Sequence, residues 1–339
     1  MTQTGQPLRI QNPERIDAVA IRAAIASGQQ VLVQFNTLAE PEPLLADLDA
    51  LAATCGTALT IRIYGYDPRV FDTRILRALP HVASLSIDCH RNALYLETLG
   101  ELRHLKRLSL GVYELAQADI LQLENLRGLE HLHLGESAKD HIDLAPLRHY
   151  AHLSRLTIEG HHQHIDTLAG LPALRDLSLY RIKNKVALDF VSGIARLRQL
   201  KLQLGGRESL ADIEAPLLEQ LEVIRVRGLQ QLGDIGRFPL LRALWVEDQI
   251  KLRQVVLGPN TALEHLNLHT CKTLDSLPGL AALPALRQLS ASATLLDVDA
   301  LLQDLPASLT HVRLRTGKKT RDEAIAAQLA ERGYSNARL

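Results

Sequence analysis

A phrase of the form L-x-x-L-x-L returns eleven times between Val82 and Leu314. Its middle residue falls at Leu85, Leu108, Leu132, Leu156, Leu177, Leu200, Leu221, Leu244, Leu266, Leu289 and Val312, with gaps of 21 to 24 residues. An earlier copy, Ile61 and Ile63 in LTIRIYG, fits the spacing with a weaker first position. Self-similarity at such a period constrains the fold more than any other feature of the chain. The L-x-L part has the period of two that marks a half-buried strand. Its second inward residue is Ile87, Leu110, Leu134, Ile158, Leu179, Leu202, Val223, Val246, Leu268 or Leu314. One short strand cannot bury such a face alone. About twelve of them side by side form a parallel sheet with a continuous apolar inner side.

Between strands the chain must return to its start. Return stretches such as LAGLPALRDL keep leucines three apart at Leu168, Leu171, Leu174 and Leu177. That spacing is close to one turn of α- or 3₁₀-helix, which places the returns on the opposite, convex side. The composition agrees. Hydrophobic residues make up 46% of the 339, and aromatic ones only 4%, so aliphatic side chains must fill the core.

The LxxLxxLxxLxL run resembles the leucine-rich-repeat superfamily in its short form, similar to the bacterial internalin and eukaryotic phosphatase-regulator types, over roughly residues 58 to 317. The resemblance implies an α/β solenoid with a curved parallel sheet on the concave side. Most members carry Asn or Cys three residues after the final strand leucine, in a buried polar ladder. Here those sites hold His90, Tyr113, Ser137, His161, Ile182, Gly205, Val226, Gln249, Cys271, Thr294 and Gly317, of which only Cys271 fits.

An array exposes apolar surface at its ends unless it is capped. Residues 1–58 do not repeat and read as an α-β-α cap: a helix after Asn12-Pro13 ending near Gly28, a strand at Val31–Phe35, and a helix from Pro41 to Thr54. The solenoid then spans 59–317, and 318–339 forms a helical cap over Thr320–Arg332, with Ile325 and Leu329 inward and Gly333 as its stop.

Lys+Arg and Asp+Glu each total 38, a balance that gives no general pull toward nucleic acid or an anionic membrane. Cys55, Cys89 and Cys271 are far apart and odd in number, as expected of reduced thiols in the cytoplasm. The first residues, MTQTGQP, lack the apolar run of a signal peptide, and no stretch is long enough to span a membrane. No phosphate-binding glycine loop, nucleophile elbow or metalloprotease motif is present, and LGGRES reads as a loop between repeats. Of fourteen histidines, eight fall between His131 and His164, and HHQH at His161–His164 reads as a solvated loop.

Function in this architecture sits on the outward strand positions. Small residues dominate them in the N-terminal half, and large or charged ones begin at Tyr180. Trp245, the only tryptophan, points outward by periodicity, with Glu222, Ile224, Arg225, Glu247, Asp248 and Asn267 as neighbours. An exposed aromatic ringed by charges has the composition of a binding hot spot. The expected partner-binding set is therefore Tyr180, Arg181, Lys201, Glu222, Ile224, Arg225, Trp245, Glu247, Asp248, Asn267 and His269.

The resulting expectation is a non-catalytic module, monomeric on its own, without metal or cofactor. It binds a partner protein, as an inhibitor or immunity-type protein of a bacterial cytoplasm would. The alternatives are a secreted effector acting on host proteins, a metal-dependent enzyme using His265, His269 and Glu247, and phosphate contact through HVRLRTGKKTR near the C-terminus.

Overall fold

In the computed structural model, residues 6–36, 42–65, 70–115, 117, 119–138 and 142–336 are described. Pro41, the expected start of the second helix, lies outside them. The chain divides into two compact units, Met1–Leu174 and Arg175–Leu339.

The first unit holds seven parallel strands in chain order: Leu8–Gln11, Val31–Phe35, Leu59–Tyr64, Ser84–His90, Arg107–Val112, His131–Leu134 and Arg155–Glu159. Register follows the repeat, so that Leu108 lies beside Leu132 and Leu132 beside Leu156. Identical positions therefore stack, and all three leucines are at most 3% exposed. Two α-helices pack ahead of the repeats. The helix Ala18–Ala26 is capped by Asp17, whose carboxylate accepts the Ala20 N–H at 3.0 Å. The helix Glu42–Cys55 buries Leu44, Leu45, Leu48 and Leu51.

The strand Leu8–Gln11 was not expected. It pairs with Val31–Phe35, and its apolar Leu8 and Ile10 are half-buried while Arg9 and Gln11 are exposed, a period-two pattern only four residues long. A second addition is a short parallel pair, Phe71–Asp72 with Ala93–Leu94, in the return segments.

The second unit also holds seven parallel strands: Asp176–Tyr180, Gln199–Gln203, Gln220–Ile224, Ala243–Glu247, His265–His269, Gln288–Ser292 and His311–Arg315. One line of side chains, Leu177, Leu200, Leu221, Leu244, Leu266, Leu289 and Val312, runs across all seven in register. Each is at most 2% exposed. The helix Lys319–Glu331 closes this unit with Ile325 and Leu329 buried, and Gly333 follows at φ +84°.

The returns are mostly single 3₁₀ turns, such as Leu96–Glu101, Ile165–Gly170 and Asp189–Gly193. Leucines three apart place an N–H over the carbonyl three residues back, as in Leu171 N–H to Leu168 O at 3.2 Å. Repeat phrase, parallel order and 3₁₀ returns together make this an α/β leucine-rich-repeat solenoid.

The polar ladder corrects the sequence reading in two places. His161 does not lie in a solvated loop. It is fully buried, with Nε2 2.9 Å from the Gly135 carbonyl and Nδ1 accepting the Ile142 N–H at 3.0 Å. Nor is Cys271 the sole residue suited to its position. Gln249, also fully buried, donates from Nε2 to the carbonyls of Glu247 at 2.8 Å and Val223 at 3.3 Å. Cys271 Sγ reaches the equivalent carbonyls, His269 at 3.4 Å and Val246 at 3.7 Å. The position thus demands a short polar reach to backbone, which imidazole, amide and thiol all supply. Where Gly205 occupies it the backbones approach instead, and a Cβ there would sit 2.8 Å from the Ile182 carbonyl oxygen.

Candidate functional site

Each of the first six strands of the second unit ends in a sharp corner. Arg181, Leu204, Arg225, Asp248, Thr270 and Ala293 follow their strands directly, and all have φ between +50° and +58°. This left-handed region is unfavourable for residues other than glycine. Peptide pairing holds it: the N–H of each corner residue donates to the last strand carbonyl of the next repeat, as in Arg225 to Glu247 O and Asp248 to His269 O, both 2.9 Å. Of the residues expected in the site, Arg181, Arg225 and Asp248 therefore stand on this rim. Arg225 Nε and Asp248 Oδ2 pair there at 2.6 Å.

The other eight lie on the outward face of the strands. Lys201, Glu222, Trp245 and Asn267 follow one another in one row, and Tyr180, Ile224, Glu247 and His269 belong to the next row along the strands. Lys201 Nζ and Glu222 Oε2 pair at 3.1 Å. Burial works against the Lys201 ammonium, but the Glu222 carboxylate and the Tyr180 hydroxyl outweigh it and hold its pKa above the ordinary lysine value.

Trp245 lies outside the core, between Glu222 and Asn267. It is half-buried. Its indole N–H donates to Glu247 Oε2 at 2.9 Å, and its ring packs against His269 with centroids 5.2 Å apart at 50°. The ring is thereby held in place before any partner arrives.

Asn267 and His269 differ from expectation. Both are on the outward face, yet they are only 5% and 9% exposed. Their neighbours explain part of this, since the Trp245 ring leans on His269 and Ser292 Oγ meets His269 Nδ1 at 2.8 Å. Burial pushes the His269 pKa below the ordinary histidine value, with Glu247 pulling up and Arg313 pushing down. Ser290, beside Asn267 in register and fully buried, belongs to the same group, although its small side chain gave no reason to single it out.

Among the described residues, no group of three or more His, Cys, Asp or Glu side chains is placed to hold a metal ion. Glu247 faces the indole and His269 faces Ser292, so these two do not converge with His265 on one point. No helix among the described residues is long and apolar enough to cross a membrane.

No protein-family model and no curated protein matches the sequence. Several solved structures are similar to it. The chain is similar to an internalin from Listeria monocytogenes, at 19% identity and a TM-score of 0.44, over 74% of this chain and 80% of that one. It is similar to a leucine-rich-repeat protein of Leptospira interrogans, at 14% identity and a TM-score of 0.39, over 87% and 97%. It is also similar to a chain of the Drosophila Toll–Spatzle complex, at 15% identity and a TM-score of 0.49, over 94% and 48%. The strand order, the stacked leucines and the 3₁₀ returns give this chain the leucine-rich-repeat fold.

Proposed function

We propose that the chain is a non-catalytic binding module that holds a partner protein on the outward face of its second unit, centred on Trp245. The observation that carries this reading is the state of Trp245 itself. A large aromatic side chain stands outside the core, beside Glu222 and near Ile224, fixed by Glu247 and His269. An aromatic anchor already held in one conformation loses little entropy on association. Within this reading the chain acts as an inhibitor or immunity-type protein of the cytoplasm. Among the described residues two free thiols, Cys55 and the buried Cys271, suit a reducing compartment.

The test pairs the full chain with its Trp245→Ala variant as baits in native lysate, followed by calorimetry against the captured protein. Trp245→Ala leaves the fold intact and weakens binding by about 2 kcal/mol or more, roughly thirtyfold in Kd. Equal affinity for both baits dismisses the site.

A further inference from the structure

Three adjacent polar side chains on the outward face each bury an atom that has no hydrogen-bond partner among the described residues. Asn267, His269 and Ser290 are 5%, 9% and 0% exposed, and Asn267 Oδ1, His269 Nε2 and Ser290 Oγ have no hydrogen-bond partner among the described residues. Buried polar atoms are nearly always paired, because an unpaired one carries its full desolvation cost. Three such atoms on two neighbouring strands lie just beneath the outward face, where a shift of the covering side chains would open them to a ligand's polar group.

Charge on the same face identifies the group. Asn267 and Ser290 continue in register to Arg313, and His269 and Ser292 continue to Arg315. On the neighbouring strands Lys201 is paired with Glu222, and Glu247 accepts the indole N–H. Neither Arg313 nor Arg315 has an ion-pair partner among the described residues. Asp322 feels the charge of Arg315, but its carboxylate oxygens accept the N–H and hydroxyl of Thr316 and the N–H of Gly317.

We propose that Arg313, with Arg315, Ser290 and His269, reads a carboxylate of the partner: an Asp or Glu side chain on a segment whose apolar residue rests on Trp245. This rests on the binding face proposed above and names its chemistry. Guanidinium and carboxylate match in a bidentate fork, and the Ser290 hydroxyl and the His269 imidazole can each supply a further donor. A polyanion fits less well, because Glu247, whose carboxylate has no ion pair among the described residues and accepts only the indole N–H, lies on the Trp245 side of the same surface and repels a chain of phosphates. The geometry also fixes a spacing. Trp245 and Arg313 are three strands apart. That is about 14 Å, or roughly four residues of extended peptide. An acid three to five residues from an apolar side chain satisfies both ends.

The probe is a displayed library of random linear dodecapeptides, selected on the full chain. Enriched peptides are then synthesised and titrated by calorimetry and by the fluorescence of the sole tryptophan. The expected peptides carry Asp or Glu three to five residues from an apolar residue. Their Kd rises at least tenfold with Arg313→Gln, and by a similar factor when the peptide's acid becomes its amide, a change that leaves the protein untouched. The two losses do not add. Peptides without acid preference, affinity unchanged in Arg313→Gln, or a selection that yields no Arg313-dependent peptide overturns the proposal. If Trp245→Ala abolishes binding and Arg313→Gln does not, the carboxylate reading fails and the face survives. If neither variant matters, both fail. Heparin retention that depends on Arg313 while peptide binding does not would assign the site to phosphate instead.

Discussion

His161→Leu isolates the energetic role of the ladder position. The ring is fully buried and serves two backbone groups, the Gly135 carbonyl at 2.9 Å and the Ile142 N–H at 3.0 Å. Leucine has a similar volume, so the cavity left is small, but neither backbone group keeps its side-chain partner. Each buried group so stranded costs about 1–3 kcal/mol, and the added apolar burial returns about 1 kcal/mol. The expected loss is thus about 1–5 kcal/mol. His161→Gln provides the control, because Gln249 fills the equivalent site by donating to carbonyls at 2.8 Å and 3.3 Å. It retains a donor for Gly135 and should lose about half as much. Urea unfolding followed by far-UV circular dichroism measures both, with unchanged slopes showing that the unfolding reaction is the same. A loss below about 1 kcal/mol for the leucine variant, or equal losses for both, would refute the reasoning.

Three other perturbations test separate parts of the structure. Burial pushes the Cys271 thiol up to about 11, so iodoacetamide at neutral pH should modify it only after unfolding; rapid labelling of the native chain at Cys271 contradicts its placement. His269 has a folded pKa below the ordinary value of about 6.5, so the unfolded chain binds more protons between the two values. Its contribution to stability is therefore complete above about pH 6.5 and is lost as pH falls through the folded value. Trp245 emission should titrate with a midpoint below about 6.5 and stop doing so in His269→Gln; a midpoint at or above that value counts against their contact. Gly205→Ala places a methyl 2.8 Å from the Ile182 carbonyl and should cost about 1–3 kcal/mol, whereas Gly170→Ala meets nothing within 4 Å and should cost under about 0.5 kcal/mol; thermal unfolding separates them.

What the sequence makes legible is whatever the period controls. Leu177 to Val312 stack in the register their spacing implies, because a slip of one residue would turn every leucine to water. The same period places Trp245 outside the core. Hidden features depend on contacts between residues a repeat apart. His161 sits in HHQH, a run with the composition of a loop, and only the Gly135 carbonyl of the preceding repeat reveals its function. Asn267 and His269 alternate outward like any exposed polar residue, and their burial comes from neighbours 22 to 24 positions away, including Trp245 and Ser292. The strand Leu8–Gln11 alternates apolar and polar residues but is only four residues long, and its partner at Val31–Phe35 supplies the reason for its extended form.

This division bears on how such a chain acquires a partner. The inward positions are tied to one another by stacking, and the corners are tied by peptide hydrogen bonds that accept arginine, leucine, aspartate, threonine or alanine at positive φ. Neither constraint touches the residues between the stacked leucines. Ser178, Lys201, Glu222, Trp245, Asn267, Ser290 and Arg313 occupy equivalent places in seven consecutive strands, yet no single chemistry runs along the row. Substitution in that row changes recognition at a cost to folding that is small where the side chain is exposed. Asn267 and Ser290 break this independence, since they carry buried polar atoms with nothing to bind among the described residues. Replacing them by apolar residues of similar size should leave stability equal or higher. The folded chain alone therefore gives no energetic reason for their polarity.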